Sequence, residues 1–268
     1  MRTALIAGRG ALPAALAAAM AERPLVTAME GFAPDGLTVD LSFRVERLVP
    51  FLRALEREGV GEVVFAGAVT RPRLDPALLD PDTAALLPRL MQAMAAGDDA
   101  TLREVIALFE ESGFAVTGVD RVAPALMPGP GVLAGTVTDR DRADAARAAG
   151  IVAALGAVDV GQAAVVVQGL CLAVEALPGT NAMLAAVTAL PAGLRPDPAR
   201  GRGLVLKAEK PGQDRRIDLP TIGPETLRAV AAAGLGGLAF HAGSVICLDL
   251  PAMQRLAGEL GLFLWARE

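Results

Sequence analysis

The chain has 268 residues, 53% of them hydrophobic, with 30 acidic against 25 basic side chains and a formal net charge of -5. That length accommodates one large domain or two ordinary ones whose cores need no disulfide or metal, and the acidic balance excludes duplex nucleic acid as a partner, which would require clustered Lys and Arg to displace counterions. Two cysteines, a single histidine and no tyrosine exclude a disulfide framework and a cysteine zinc site, leaving carboxylates, lysines, arginines, backbone amides and a hard metal ion to carry the chemistry.

No apolar run approaches the roughly 18–20 residues of a membrane span. Residues 1–7 read as a strand rather than a secretory signal, so a soluble, cytoplasmic protein is expected. Along the first third, β-type runs at 3–7, 25–29 and 62–66 alternate with helical stretches at 12–22 and 48–58, the pattern of an α/β domain with a largely parallel sheet. Helical periodicity continues over 84–95 and 100–111, with a further strand at 114–117. A Pro/Gly-rich stretch around Met127, Pro128, Gly129, Pro130 and Gly131 reads as a linker.

The expected organisation is therefore a Rossmann-like α/β domain over 1–126, a linker over 127–135, and an α+β domain over 136–268. In the second domain a charged helix at 139–155 precedes a hairpin with strands at 163–168 and 171–175, closing around Gly169 and Leu170. Thr180 or Asn181 is placed to cap a helix running to about residue 190, and strands follow at 204–208, 237–240 and 245–248. Cys171 and Cys247 fall inside apolar strand-like runs and are expected to be buried, inert thiols.

Several segments carry candidate chemistry. Gly8, Arg9, Gly10, Ala11 and Leu12 join the first strand to the first helix, where backbone amides and a helix N-terminus can hold a phosphate. As a dinucleotide fingerprint the turn is incomplete, because Pro13 stands at the third glycine position, although Glu30 sits where a ribose-binding acid would be. Gly67, Thr70 and Arg71 follow another strand at the same sheet edge, with Arg71 suited to a bidentate phosphate contact. Asp98 and Asp99 precede a helix, as caps or as hard-metal ligands. The segment 207–223 collects Lys207, Lys210, Asp214, Arg215, Arg216 and Asp218 among Gly and Pro, which suits an anionic substrate better than a plain surface loop. Gln162 and Glu175 flank the hairpin, and Gly179, Thr180 and Asn181 form a turn. His241, in an apolar run, reads as a core or edge histidine rather than a base.

Read in order, Leu5 through Pro13, the Gly67 loop, Gly97-Asp98-Asp99, Asp159-Val160-Gly161-Gln162, Leu172 through Ala176, Lys210 through Asp214 and Asp218-Leu219-Pro220-Thr221-Ile222-Gly223 resemble the UDP-2,3-diacylglucosamine diphosphatases of the type that is not a calcineurin-like metallophosphatase. The resemblance covers nearly the whole chain. It implies hydrolysis of UDP-2,3-diacylglucosamine to UMP and the acylated sugar 1-phosphate in lipid A synthesis, at a cleft between two domains, with Mg2+ or another divalent ion such as Mn2+. It further implies Asp218 as the catalytic residue. Asp98, Asp99 and Asp218 would be metal ligands, and Gly8, Gly10, Ala11, Leu12, Gly67, Thr70, Arg71, Gln162, Gly179, Thr180, Asn181, Lys207 and Lys210 would bind substrate. A substrate with two acyl chains implies transient contact with the inner-membrane surface, and the sequence leaves room for a homodimer.

Three departures from the family pattern stand out: Pro178-Gly179-Thr180-Asn181 in place of Glu-Gly-Thr-Asp, His241 in place of a glutamate, and Arg9 in place of a glycine. Two rival readings are a nicotinamide oxidoreductase, resting on the first 70 residues, and a catalytically silent nucleotide- or lipid-binding protein.

Overall fold

Alternating apolar runs and amphipathic stretches fold, in the computed structural model, into two units; the structure describes residues 2–70 and 73–268. The first unit holds the chain up to Ala125 together with Asp214–Asp218, and the second holds Leu126–Gln213 and Leu219–Glu268.

In the first unit, strands β1 (Arg2–Ala7), β2 (Leu25–Met29), β3 (Leu41–Phe43), β4 (Val60–Ala66) and β5 (Ala115–Thr117) form a sheet of order β3-β2-β1-β4-β5. Every pairing in it is parallel. Parallel strands require crossovers: α1 (Leu12–Ala19) joins β1 to β2, α2 (Leu48–Arg57) joins β3 to β4, and the short α3 (Pro81–Ala84), α4 (Leu87–Ala96) and α5 (Asp98–Glu111) lie between β4 and β5, while β2 reaches β3 through a loop and α6 (Val119–Val122) follows β5. Helix α2 shows why such a stretch docks. Its buried residues Leu48, Phe51, Leu52 and Leu55 recur at i, i+3, i+4 and i+7, one stripe of a helix, and each contributes about 1.5–3 kcal/mol by leaving water. Phe51 stacks on Phe43 with ring centroids 3.9 Å apart, and Phe109 meets Phe51, Phe65 and Phe114 at tilted or edge-on angles. The three-residue β3 was not anticipated, and the helix expected over 84–95 is α4, which begins three residues later, behind the short α3.

The second unit is built on a six-stranded sheet of order β6-β13-β11-β9-β7-β8, using β6 (Gly131–Ala134), β7 (Ala163–Val167), β8 (Leu170–Val174), β9 (Leu204–Lys207), β11 (Gly237–His241) and β13 (Phe263–Arg267). Strands β9, β11 and β13 are parallel, β7 runs against β9, β8 runs against β7, and β6 runs against β13. A separate pair, β10 (Thr221–Ile222) with β12 (Ile246–Cys247), is parallel. Helices α7 (Asp139–Gly156), α8 (Gly179–Thr188), α9 (Pro224–Ala232) and α10 (Leu250–Glu259) complete it.

Successive strand residues point to opposite faces, and both faces are covered. Ala163, Val165, Val167, Val205, Leu238 and Phe240 share a core with buried residues of α8, α9 and α10. Ala164, Val166, Leu204, Leu206 and Ala239 share another with Ala145, Ala148 and Val152 of α7.

The stretch expected as linker is partly strand: β6 pairs antiparallel with β13. An edge position tolerates the adjoining prolines, since one side of the strand need not donate to a ladder. Cys247 is buried, as expected, but Cys171 is exposed, because β8 is an edge strand. No helix among the described residues is long and apolar enough to cross a membrane.

The β7–β8 hairpin turns through Gln168 and Gly169, both with positive φ, 53° and 80°, one residue earlier than expected and of the kind that matches strand twist. A buried carboxylate holds it. Asp144 on α7, 2% exposed, accepts hydrogen bonds from the amides of Gln168 at 2.9 Å and Gly169 at 2.7 Å. Replacing Asp144 by Ala should strand both amides and cost about 3 kcal/mol, read as a lower urea midpoint; an unchanged midpoint would show that the turn does not depend on it.

Candidate functional site

At the centre of the first unit's sheet, the turns after β1 and β4 meet backbone to backbone. The Gly8 amide donates to Ala66 O at 2.8 Å, the Arg9 amide to Ala68 O at 2.9 Å, and the Ala68 amide back to Arg9 O at 3.0 Å. A Cβ on Gly8 would lie 2.7 Å from Ala68 O, and one on Gly67 (φ +96°) would lie 2.6 Å from Gly8 O. Both glycines are thus required by the close approach of two main chains. The amide of Gly8, expected to face a phosphate, is instead committed inward, so the donors this turn can offer are those of Gly10, Ala11 and Leu12. Gly10 has φ +94°, and α1 begins after Ala11, which supplies no side-chain cap, leaving the helix N-terminus to whatever ligand lies against it.

Arg9 acts as a strap. Its guanidinium donates to Gly31 O at 3.2 and 2.7 Å and lies 4.9 Å from the Phe32 ring centre, a bond set no glycine could make. Glu30, the position of a ribose-binding acid, is ion-paired with Arg44 at 2.9 Å. Thr70 is an exposed residue of the loop after β4, while Arg71 lies outside the described residues.

Asp98 and Asp99 are not caps. They occupy the first turn of α5, whose N-cap is Gly97 with φ +120°, and their charge favours the positive end of that helix. In the segment Asp214–Asp218, Arg216 grips Asp214 with Nε at 2.9 Å and Nη2 at 2.7 Å, and reaches Glu110 with Nη1 at 2.7 Å. The Arg216 hydrogen bonds hold the Asp214 carboxyl below its ordinary range. The Asp218 amide is 3.4 Å from Asp214 O, so the Arg216–Asp214 clasp shapes the turn on which the half-buried Asp218 rides. Leu219, which follows it, is buried, and Ile217, which precedes it, is only partly so.

In the second unit, β8, β9, β11 and β13 run in one direction, so their carboxyl ends share one edge of the sheet. Lys207 ends β9, and by alternation it faces the same side as Val205, towards α8. Its Nζ donates to Thr180 Oγ1 at 2.7 Å; Thr180 Oγ1 in turn donates to Glu175 Oε2 at 2.9 Å, and Lys207 Nζ lies 3.8 Å from that oxygen. Lys207 and Glu175 are 7% and 8% exposed. Thr180 is therefore no cap: α8 starts one residue before it, at Gly179 (φ +84°), behind Pro178. Asn181 is exposed in the first turn of that helix.

Gln162 precedes β7, and its Oε1 is buried with no hydrogen-bond partner among the described residues. Lys210 belongs to the neighbouring loop and pairs with Asp159 at 2.5 Å. Glu175, read from sequence as hairpin-flanking turn chemistry, is the residue whose place in this network was missed; its signal was a carboxylate closing an apolar strand five residues before a threonine.

His241 ends β11 and pairs in register with Arg267 of β13. Burial first, then the Arg267 charge, pushes the imidazole down from its ordinary value, with Glu209 opposing. As the only histidine its ring proton is a unique NMR signal. It should titrate below 6.5, and replacement of Arg267 by Ala should move the midpoint up; a midpoint at or above 6.5 would contradict this environment.

Among the described residues no group of three or more His, Cys, Asp or Glu side chains is arranged to hold a metal ion. The expected trio Asp98, Asp99 and Asp218 does not assemble as one.

Glycine turns at a parallel-strand edge, uncapped helix N-termini and a buried ammonium define a two-domain α/β protein equipped to receive phosphate-bearing ligands. Residues 2–126 match the model of the LpxI N-terminal domain and residues 129–265 that of the LpxI C-terminal domain. The chain is 39% identical over 266 residues, 97% of its own length and 95% of the relative's, to the UDP-2,3-diacylglucosamine pyrophosphatase LpxI of Caulobacter vibrioides. It belongs to the LpxI family.

Proposed function

We propose that the protein hydrolyses the pyrophosphate of UDP-2,3-diacylglucosamine to UMP and 2,3-diacylglucosamine 1-phosphate, a step of lipid A synthesis. The observation that carries this reading is the buried Lys207 ammonium, fixed by Thr180 and Glu175 beside the N-terminus of α8, in a chain similar over nearly its full length to a pyrophosphatase of that substrate.

The reaction adds one water across a P–O–P linkage: the water oxygen bonds to one phosphorus, the bridging bond breaks, and both products leave as phosphate monoesters. Two phosphoryl groups gain charge as this happens, and catalysis consists largely of neutralising that charge and aligning the water. Lys207, Lys210 and Arg71 offset the phosphate charge, and Gln162, Gly179, Thr180 and Asn181 border the substrate. The Rossmann-like first unit contributes the amides of Gly10, Ala11 and Leu12, with Gly67 and Thr70 on the adjoining turn. Asp218 orients the water or anchors magnesium or manganese, which when bound supplies Lewis-acid polarisation of the phosphoryl oxygens. In this chain Asn181 offers a neutral amide where the family carries aspartate, so any cation is held with less charge there. The pairing of Glu30 with Arg44 counts against a nicotinamide ribose at that position. The two acyl chains of the substrate bring a cytoplasmic enzyme to the inner-membrane surface.

Purified protein should release UMP from UDP-2,3-diacylglucosamine in mixed micelles with magnesium, lose that release to a chelator, and recover it when the metal is restored. Asp218→Ala should reduce the rate at least about 100-fold. Folded wild-type protein without turnover under any divalent metal would overturn the assignment.

A further inference from the structure

Glu175 is held more rigidly than a hairpin-flanking residue needs to be. Its amide donates to Ala163 O at 2.8 Å, and Gly161 approaches so closely that a Cβ there would lie 2.1 Å from Glu175 O. Its side chain is buried and turned to Thr180 rather than to water.

The chemistry of the three groups fixes the direction of the chain of bonds. An ammonium only donates and a carboxylate only accepts. The single hydroxyl hydrogen of Thr180 must therefore point to Glu175 Oε2 (2.9 Å) while its lone pair receives Lys207 Nζ (2.7 Å). With its hydrogen committed in this way, Thr180 does not donate to a phosphate. Its work is to set the place of the Lys207 ammonium, and the work of Glu175 is to orient Thr180 and to contribute negative charge beside a buried ammonium.

Resting on the proposed hydrolysis, we infer that Glu175 is a positioning residue for the reaction, acting on the substrate's diphosphate only through Thr180 and Lys207. A misplaced ammonium still attracts the diphosphate but no longer meets the charge that develops during bond breaking, so the loss falls on kcat more than on KM.

The test uses the full-length protein and its Glu175→Gln, Thr180→Val and Thr180→Ser variants, with the Glu175→Gln/Thr180→Val double variant. Melting temperature and UMP release from UDP-2,3-diacylglucosamine are measured for each. Glu175→Gln keeps the shape and an acceptor oxygen, and should lower kcat about 10-fold or more with KM little changed. Thr180→Ser, which retains the hydroxyl, should recover most of the kcat that Thr180→Val loses. The double variant should lose no more than the worse single change, because the two residues act in series. If Glu175→Gln does not fold, Glu175→Asp replaces it, keeping the charge at shorter reach, and should again lower kcat. Folded Glu175 variants with wild-type kcat, or losses that multiply in the double variant, would overturn the inference while wild-type turnover leaves the hydrolysis standing. Absence of wild-type turnover would instead remove the reading on which both rest.

Discussion

A lysine ammonium taken out of water needs an acceptor and a counter-charge close by, or the fold that buries it is penalised. Much of the second unit's local structure is arranged around that requirement at Lys207. The strand alternation that sends Leu204 and Leu206 to the α7 face and Val205 to the other turns Lys207 towards α8. Helix α8 begins at Gly179, which puts Thr180 in its first turn, and the edge strand β8 ends where Glu175 can close the chain of bonds. Gly161 has no side chain because Glu175 O occupies the space one would fill. Arg267 ends β13 at the same edge as Lys207, so basic side chains gather where the parallel strands end, the edge at which ligands of open α/β sheets collect.

The first unit meets a different constraint. Two glycine turns approach so closely that main chain hydrogen-bonds to main chain, and the helix that follows one of them starts without a side-chain cap. Arg9 adds a side-chain tie of its own: its guanidinium straps the turn to Gly31 O and the Phe32 ring. In the same unit, the Arg216–Asp214 clasp orders the short segment that bears Asp218. In each place a strongly hydrogen-bonding side chain fixes backbone that has no regular ladder to hold it.

Strongly periodic elements were legible in the sequence. The two-domain α/β architecture and the parallel sheet of the first unit followed from the alternation of β runs with stripes such as Leu48, Phe51, Leu52 and Leu55, and α7 from its long charged pattern. The short β3 and β10, of three and two residues, were not legible, although the two-residue β12 falls inside the strand expected at 245–248. Strand β13 went unread because Phe263, Leu264, Trp265 and Ala266 are all buried and so show no alternation. Strand β6 hid among prolines and glycines. At the site, the residue types were legible but their pairings were not. Thr180 looked like a cap because caps are chosen locally, whereas the partners that claimed its hydroxyl come from β9 and the end of β8, 27 and 5 residues away. Asp98 and Asp99 also looked like caps, and the Gly8 amide looked free, because sequence does not show which backbone groups a neighbouring turn will take.

The proposed chemistry requires Lys207 to meet the diphosphate. Equilibrium binding of intact UDP-2,3-diacylglucosamine, measured in an Asp218→Ala background that separates affinity from turnover, tests this when Lys207 is also changed to Met. The account predicts a dissociation constant raised about tenfold or more, the loss of one charge-assisted contact; an unchanged constant in a folded double variant would contradict it.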